Sequence, residues 1–493
     1  MTDQLSSANL ASNLSDTVNA LLTAGQRLPP ELFIIGVGNF HRAHQAIYLD
    51  DLFASGRNQD WALLGAGVRP ADAAMRDELA EQDWLTTVVE LDPNGLTARV
   101  SGSMIGFVEP GSAALIEALC APSIRIVSLT VTEGGYYIDA ASGGFDLVHP
   151  DVVKDTKNPD TPATVFGMIL GALSKRRGMG IGPFTVMSCD NLPGNGHVTR
   201  NAVVGLANAI SPELGAWISD SVSFPNGMVD CITPATSDRV REMVSETFGI
   251  DDARPVVCEP FRQWVLEDKF VAGRPALETV GVEFVSDVAP YELMKLRILN
   301  GGHAAIAYPS ALLGIEMVHD AMTDSSVLGF LRKIERSEMI PTVPEISGTD
   351  FDDYYSTIER RFSNAAVADT VPRLCQDGSN RQPKFILPTV LARLDAGLPI
   401  SGLALEVALW CRYCAGTDEA GHPIVIDDPI GEQLTDHALR AKDNPSAFLE
   451  LHSVFGNLAD DATFDAEFSL ALRRLWQDGV RSTLSAYAND GQV

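Results

Sequence analysis

The chain contains no long apolar run. None of the stretches in its 493 residues reaches the roughly 20 consecutive apolar residues that a membrane-spanning helix needs. Its first residues, MTDQLSSANLASNLSDTVNALL, have neither a basic start nor a continuous apolar centre. We therefore expect no secretory signal peptide, no membrane partner and a cytoplasmic location.

Positive charge is also scarce. Lysine and arginine number 36 against 65 aspartates and glutamates, which gives a formal net charge of -29. Nucleic acids and anionic membrane surfaces bind proteins through cations, so this balance argues against both as partners. It is compatible with an anionic cofactor, because the N-terminus of a single helix can hold a phosphate on an acidic protein.

Cysteine and histidine are few and scattered. The seven cysteines follow no regular spacing, as is typical of reduced thiols. Cys411 and Cys414 form a lone CxxC inside an apolar, helix-like stretch, without a second pair to complete a zinc site. We interpret them as structural cysteines and expect no metal cofactor.

The pattern of apolar residues divides the chain in two. A length of 493 residues suits two or three domains rather than one core. After an amphipathic helix predicted over residues 1–30, helical periodicity alternates with short apolar runs that begin at Leu32, Trp61, Ile124 and Phe184. This alternation indicates βα units around a parallel sheet. We predict an α/β doubly wound sheet domain over residues 1–285 and a mostly α-helical domain over 286–493.

A glycine-rich turn follows the first of these apolar runs. The sequence GVGNFH from Gly36 matches GxGxxG except that His41 replaces the third glycine. The first two glycines supply the tight turn and the close backbone approach that a pyrophosphate requires. The candidate cofactor-binding residues are therefore Gly36, Gly38, Asn39 and Phe40. The alternative is a plain strand-to-helix turn.

The residues after the second apolar run bear on the choice of cofactor. An acidic residue there would bond the hydroxyls of an adenosine ribose and repel a 2′-phosphate. Asp72 is the candidate acid, whereas the nearby cation Arg69 favours a 2′-phosphate. We predict NAD as the cofactor and NADP as a weaker one. Alternatively, Asp72 serves only as the N-cap of the following helix.

The stretch MKLRILNGGH, from Met294, carries the clearest chemical signal. At roughly 100° per residue in an α-helix, His303 lies about 80° and Asn300 about 140° from Lys295, on one side of the helix. A base, an imidazole that could orient a substrate and a neutral amide donor would then share a face. The alternative is a solvated lysine before an Asn-Gly-Gly helix end.

Two polar residues follow predicted buried strands. Glu133 comes after the third apolar run and Asn191 after the fourth. Ligands of open α/β sheets bind at the carboxyl ends of strands, so Asn191 is a candidate amide donor and Glu133 a candidate proton relay. Both residue types also favour turns for local reasons, and that alternative stays open for each.

These motifs together resemble the polyol-specific long-chain dehydrogenase family over nearly the whole chain. The matching stretches are GVGNFHRAHQ from Gly36, SLTVTEGGY from Ser128, FTVMSCDN from Phe184, SFPNGMVDCITP from Ser223, CEPFRQWVLEDKF from Cys258, MKLRILNGGH from Met294 and RFSN from Arg361. The resemblance implies a Rossmann-type domain followed by a helical substrate domain. It also implies reversible, zinc-independent oxidation of a sugar alcohol by NAD, D-mannitol to D-fructose, without implying an oligomeric state; a monomer would suffice.

The resemblance further implies a role for each site residue. Lys295 would be the general base, Asn191 and Asn300 would form the oxyanion hole, His303 would orient the substrate, and Glu133 would belong to the proton path. Arg373 and Arg381 would hold sugar hydroxyls, with Asp230 nearby.

Three positions depart from the family pattern. Cys231 stands where an arginine is usual, and Arg381 where a lysine is usual, which alters hydrogen-bond geometry. Ala71-Asp72 stands in place of a Glu-Asp pair, so we expect weaker exclusion of NADP. Two other functions stay open: a fructuronate or tagaturonate reductase of the same family, and a protein that senses NAD without turning it over.

Overall fold

The computed structural model describes residues 3–6, 30–58, 60–139 and 142–490. The chain forms two compact units, Met1–Ala289 and Pro290–Val493. The domain boundary expected between residues 285 and 286 stays a prediction. The helix predicted over residues 1–30 falls largely on residues 7–29, which lie outside the described ranges.

The first unit contains all the named strands of the described chain. They are β1 (Asp3–Gln4), β2 (Pro30–Ile35), β3 (Ala62–Ala66), β4 (Thr86–Glu90), β5 (Thr97–Ser101), β6 (Met104–Val108), β7 (Ile126–Leu129), β8 (Thr185–Ser188), β9 (Gly227–Asp230), β10 (Ile250–Asp251), β11 (Val256–Cys258), β12 (Gln263–Glu267) and β13 (Glu283–Val285).

The α-helices of the first unit lie between these strands. They are α1 (Asn39–Ala43), α2 (Gln45–Ala54), α3 (Asp72–Glu81), α4 (Ser112–Leu119), α5 (Pro150–Lys157), α6 (Val165–Gly178), α7 (Asn195–Ile210), α8 (Pro212–Ser221) and α9 (Asp238–Phe248). Short 3₁₀ turns occupy Glu133–Tyr136 and Leu277–Val280.

The main sheet has five parallel strands in the order β6-β3-β2-β7-β8. Its strands are apolar on both faces because helices cover both. Phe33 and Ile35 belong to the core shared with α4, α6 and α7. Leu32 and Ile34 belong to the core shared with α2 on the opposite face. The chain order reverses between β2 and β7, so their carboxyl ends form the switch point of a doubly wound sheet.

Smaller sheets complete the first unit. Strand β4 pairs antiparallel with β5 and parallel with β11, and β12 pairs antiparallel with β9 and parallel with β13. The two-residue strands β1 and β10 pair in parallel. Strand β9, which ends at Asp230, therefore belongs to a different sheet from β8, which precedes Asn191.

The described part of the second unit is built from helices and isolated β-bridges. Its α-helices are α10 (Ala289–Met294, of which Ala289 closes the first unit), α11 (Gly301–Leu312), α12 (Val318–Ala321), α13 (Ser325–Ile334), α14 (Phe351–Phe362), α15 (Val371–Cys375), α16 (Gly378–Phe385), α17 (Leu387–Asp395), α18 (Ser401–Cys414), α19 (Gly431–Ala441), α20 (His452–Phe455), α21 (Ala462–Asp478) and α22 (Val480–Asp490).

Several shorter turns connect the helices of the second unit. Two are π-helical, Lys295–Asn300 and Glu335–Met339. The others are 3₁₀ turns at Ile340–Thr342, Ala365–Val367, Pro445–Ala447 and Gly456–Asp460. The fold class predicted from the sequence, a doubly wound α/β sheet followed by a mostly helical part, is confirmed. Across the described ranges, no helix is both long and apolar enough to cross a bilayer.

Candidate active site

The glycine turn after β2 packs directly on the end of β7. Gly36 has φ +99°, and a Cβ there would lie 2.1 Å from the carbonyl oxygen of Thr130. Only glycine meets both conditions, because L side chains disfavour this φ and the Cβ would overlap the backbone. The Thr130 hydroxyl also donates to the Gly36 carbonyl, which ties the two strand ends together.

The second glycine leaves open space where the turn meets α1. A Cβ at Gly38 would meet no atom within 4 Å. The Asn39 side chain is committed to the protein instead, since its Nδ2 donates to Thr236 Oγ1 at 3.0 Å. Phe40 stacks on His44 with ring centroids 4.7 Å apart. The space a cofactor could use therefore borders the backbone at Gly38.

His41, which replaces the third glycine, is fully buried. Its Nδ1 lies 2.9 Å from Gln45 Oε1, and burial lowers the pKa of the imidazole to about 4. His41 is thus neutral at physiological pH. It fills the place where the glycine of other dinucleotide-binding turns permits close helix packing.

Asp72 is the first residue of α3, after the turn that follows β3, the second strand of the sheet in chain order. Its Oδ2 accepts hydrogen bonds from the backbone N–H groups of Val68 and Arg69, each at 2.9 Å. Its Oδ1 lies 3.3 Å from Arg69 Nη2. The reading of Asp72 as a helix N-cap is wrong, because Ala71 is the N-cap of α3 and the carboxylate binds the preceding turn. Its role toward a ribose stays a prediction.

Glu133 and Asn191 follow adjacent strands, β7 and β8, beside the glycine turn of β2. Both side chains are exposed. Asp190 joins their loops, because its carboxylate accepts from the N–H groups of Val131 at 3.0 Å and Thr132 at 2.9 Å. Sequence reasoning missed Asp190. Its position was a usable sequence signal, since an aspartate shortly after a buried strand often accepts hydrogen bonds from backbone N–H groups.

Asp230 and Cys231 close the β9 strand. Asp230 is the last residue of the strand, lies opposite Gln263 of β12 and is buried. Cys231, where the family usually has arginine, is also buried, and its contact with Cys258 together with burial raises the pKa of its thiol. Position 231 is therefore an apolar packing site.

Lys295 and Asn300 bound a π-turn rather than a stretch of α-helix. The hydrogen bonds of a π-turn run from residue i to i+5, so residues five apart come closer in angle about the axis than they do in an α-helix. Lys295 and Asn300 therefore share a face of the turn, and the separation of about 140° expected for an α-helix is wrong. The lysine is only 9% exposed.

The two glycines after Asn300 let a second π-turn approach. A Cβ at Gly301 would lie 3.0 Å from Met339 Cε, and one at Gly302 would lie 2.9 Å from Glu335 Oε1. Helix α11 continues through both glycines to Leu312. The reading of Asn-Gly-Gly as a helix end is therefore wrong, and the glycines are packing positions.

His303 is buried and stacks on Phe362, with ring centroids 4.2 Å apart and planes 19° apart. Burial lowers its pKa well below the ordinary value, and the charges of Arg373, Arg381 and Arg361 lower it further. The imidazole is thus neutral, and its Nε2 has no hydrogen-bond partner among the described residues. Arg361 was missed as a site residue, although its motif RFSN had been recognised.

Arg373 and Arg381 are held by local contacts. The Nε atom of Arg373 donates to Asp369 Oδ1 at 2.6 Å, and this pair is partly exposed. Nη1 of Arg381 donates to the Leu374 carbonyl at 2.7 Å, at the end of the helix that carries Arg373. The second unit therefore carries Lys295, Asn300 and His303 on one chain segment, and three arginine charges act on His303.

Family models match both parts of the chain. Residues 31–279 match the model described as mannitol dehydrogenase Rossmann domain, and residues 287–476 match the mannitol dehydrogenase C-terminal domain. Together they cover most of the sequence.

Individual proteins match over nearly full length. The chain is 58% identical to a mannitol 2-dehydrogenase of Cereibacter sphaeroides over 93% of this chain and 96% of that protein. It matches the ternary complex of Pseudomonas fluorescens mannitol 2-dehydrogenase with NAD and D-mannitol at 42% identity and TM-score 0.85, covering 99% of this chain and 100% of the other. A D-sorbitol dehydrogenase in substrate-free form matches at 37% identity and TM-score 0.86, over 93% and 95%.

Proposed function

This chain belongs to the mannitol dehydrogenase family, and we propose that it oxidises D-mannitol at C2 to D-fructose with NAD and also catalyses the reverse reduction. One observation carries the proposal: a buried lysine and an amide share the face of a π-turn that leads into a neutral, buried histidine. The similarity to a structure containing NAD and D-mannitol supports the choice of cofactor and substrate.

The residues of the glycine turn fit a dinucleotide. The open space beside Gly38 and the switch point between β2 and β7 suit a pyrophosphate bound along the backbone. Asp72 and Arg69 lie at the strand end where an adenosine ribose would be held. When bound, NAD supplies the acceptor for the hydride that leaves the substrate carbon.

Lys295 takes the proton of the C2 hydroxyl as general base. It must be uncharged to do so, and burial of the amine disfavours its ammonium form. Transfer of the proton to the lysine Nζ leaves the carbonyl oxygen of the ketose as the hydride departs. The lysine then loses the proton toward solvent, with the exposed carboxyl of Glu133 as a member of that path.

Asn191 and Asn300 donate hydrogen bonds to the substrate oxygen as negative charge develops on it. An amide donor of this kind contributes about 3 kcal/mol to transition-state binding. Because carboxamides carry no net charge, they stabilise the oxyanion without opposing protonation of the lysine.

The remaining candidate residues position the polyol. The neutral His303, with a buried and unpartnered Nε2, can bond a sugar hydroxyl. Arg373 and Arg381 supply donors for further hydroxyls, and Asp230 supplies an acceptor. These groups set which polyol fits, since an uncharged substrate is recognised by hydrogen bonds alone.

A substrate panel tests the proposal. The full chain is assayed with D-mannitol, D-arabinitol, D-sorbitol and D-mannonate, each with NAD and with NADP. We expect the highest kcat/KM with D-mannitol and NAD. Fastest oxidation of mannonate would identify a uronate reductase instead, and binding of NADH without consumption on addition of fructose would identify a sensor.

D-Sorbitol is the second candidate substrate. The D-sorbitol dehydrogenase is as similar in fold to this chain as the mannitol enzyme is, with TM-scores of 0.86 and 0.85. A kcat/KM for sorbitol above that for mannitol would select this alternative without changing the mechanism.

A further inference from the structure

We infer that Asp190 is a positioning residue that holds the Glu133 turn and the Asn191 loop in a fixed register, so that proton path and amide donor act on one substrate. The inference rests on the proposed function, because Glu133 and Asn191 have these roles only there. It assigns a task to a residue whose carboxylate is engaged by groups of the protein itself.

The carboxylate of Asp190 binds both ends of the Glu133 turn. Its Oδ1 accepts from Thr132 N–H at 2.9 Å, directly before the turn. Its Oδ2 accepts from Val131 N–H at 3.0 Å and from the hydroxyl of Tyr136 at 2.7 Å, at the last residue of the turn. The side chain is 8% exposed, so these contacts are shielded from water.

The backbone around the turn needs such support. Thr132 has φ +69° and Tyr137 has φ +52°, so two non-glycine residues in left-handed conformations flank Glu133–Tyr136. Conformations of this kind persist only where the surrounding structure holds them, and they are frequent at functional sites. The bonds from Asp190 reach Thr132 itself and the residue before Tyr137.

The hydrogen bonds by which Asp190 joins the Glu133 turn to the Asn191 loop form a clamp. Its Asn191 side is also well fixed. The backbone carbonyl of Asp190 accepts from Asn195 Nδ2 at 3.1 Å and from Leu192 N–H at 2.9 Å. The Asn195 side chain also bonds Gly227 of β9 through both its amide atoms. Asn191 is therefore the exposed residue between an anchored aspartate and an anchored loop.

Only a carboxylate satisfies this arrangement. Its two oxygens face three donors, two on one oxygen and one on the other. An asparagine would place its NH₂ group against at least one N–H donor, leaving that donor unsatisfied. Glutamate would keep the charge but displace the oxygens by one carbon.

Asp155 provides a matched control in the same unit. It is 1% exposed and accepts from two consecutive backbone N–H groups, Ala163 at 2.7 Å and Thr164 at 3.0 Å, together with the Thr164 hydroxyl. The loop it holds leads into α6 and carries none of the site residues. Asp155→Asn therefore reproduces the structural loss of Asp190→Asn away from the chemistry.

The experiment compares the two variants in the full chain. We expect similar decreases of Tm, but a loss of kcat of about 30-fold or more for Asp190→Asn against less than about 2-fold for Asp155→Asn, because catalysis is sensitive to small misplacements. The Kd of NADH, from its fluorescence, should change by less than about 3-fold in both. Equal kcat in the two variants would overturn the inference.

A double-mutant cycle tests whether Asp190 acts through Asn191. In an Asn191→Ala background, Asp190→Asn should lower kcat far less than in the native background, since groups acting as a unit are non-additive. Fully multiplicative losses would overturn coupling to Asn191. If the native protein oxidises no polyol, the proposed function fails. If the native protein and Asn191→Ala behave as proposed but Asp190→Asn has the same kcat as Asp155→Asn, only the present inference fails.

If Asp190→Asn does not fold, Tyr136→Phe tests the clamp more gently. It removes one donor from Asp190 and also the contact of Tyr136 with Ser188 at 2.6 Å. Ser188→Ala removes that second contact, together with the bond that Ser188 Oγ accepts from the Asp190 backbone N–H at 3.3 Å, but leaves all donors of the Asp190 carboxylate in place, and it serves as the control. We expect kcat about 5-fold lower for Tyr136→Phe than for Ser188→Ala, and equal values would contradict the clamp.

Discussion

Buried carboxylates are held differently in the two units. In the first unit, Asp190, Asp155 and Asp252 each accept hydrogen bonds from backbone N–H groups, those to Asp252 coming from Thr87 and Arg254 at 2.6 and 2.7 Å. In the second unit, Glu335 has no hydrogen-bond partner for either oxygen among the described residues, and Glu406 has only Gln382, at 2.7 Å.

The architecture explains this contrast. Loops at strand ends leave N–H groups without partners, whereas the interior of a helix uses every N–H in its own ladder. Glu338 illustrates the rule from within the helical unit: it accepts from the N–H groups of Gly402 and Leu403 at the N-terminus of α18, where such groups are free.

The contrast also sets the charge of the buried groups. Burial raises the pKa of Glu406 to about 8 and that of Glu335 well above its usual range. The protonated form of both carboxyls is therefore favoured. Hydrogen bonds from backbone N–H groups thus hold the three aspartates of the first unit, whereas Glu335 and Glu406 of the second unit are held mainly by packing.

Removing the proposed base should have the largest effect. Lys295→Ala is expected to lower kcat by at least about 10³-fold and to abolish the rise of activity toward basic pH, since no other group takes the hydroxyl proton. Steady-state rates from pH 6 to 10 measure both. Near-native turnover of this variant would show that Lys295 is not the general base.

The two proposed amide donors allow the oxyanion hole to be tested directly. Asn191→Ala and Asn300→Ala should each lower kcat about 10²-fold and leave NADH binding unchanged, because each removes one oxyanion donor. Asn201→Ala, at an exposed position of α7, is the control and should stay within about 2-fold. Loss at only one of the two positions would leave a single amide donor for the oxyanion.

Glu406→Gln tests whether the buried carboxyl of Glu406 keeps its proton in the folded chain. Between pH 4.5 and 8 the folded state keeps a proton that the unfolded state releases, so the free energy of unfolding falls as pH rises through this window. Glutamine keeps the bond from Gln382 and removes the titration. We expect Tm to decline less than in the native chain between pH 5 and pH 8, which is roughly the window between the two pKa values.

Glu432→Gln, at an exposed position of α19, is the control for this measurement. It should leave the pH dependence of Tm as in the native chain. An unchanged slope in Glu406→Gln would mean that this carboxyl ionises as easily in the folded chain as in the unfolded one.

Asp72→Ala should have the smallest effect. Like the buried aspartates of the first unit, Asp72 accepts hydrogen bonds from two backbone N–H groups, here those of the turn before its helix. Unlike them, it is only partly buried. Removing its charge should raise kcat/KM with NADP relative to NAD by about 3- to 10-fold, through loss of repulsion toward a 2′-phosphate. Asp77→Ala, on the same helix, is the control. An unchanged ratio would restrict Asp72 to a structural role.

Much of the fold could be predicted from the sequence because its periodicity is strong. Strands β3, β7 and β8 lie within apolar runs of the sequence, and β2 overlaps the first run but begins before it, at Pro30. The helical texture beyond residue 285 was also correct. The polar residues at the ends of β7 and β8 were also found, since parallel strands gather their carboxyl ends at one edge.

The π-turn could not be predicted, because nothing in the sequence from Lys295 to Asn300 differs from an ordinary helix. It is accompanied by tertiary contacts at Gly301 and Gly302 with a turn about forty residues later, which local periodicity does not reveal. The effect of Arg361 on His303 could not be predicted for the same reason, because the two residues are close only in the folded chain.

The glycine pair after Asn300 sets a limit on engineering. Exchanging helical glycines for alanine is a common route to thermostability, with a gain of about 1 kcal/mol each in helix propensity. Here the added methyl groups would collide with Met339 and Glu335. A chain optimised for heat resistance by that rule would have to move the ends of both side chains beside the turn that carries Lys295 and Asn300, and this movement would offset part of the gain.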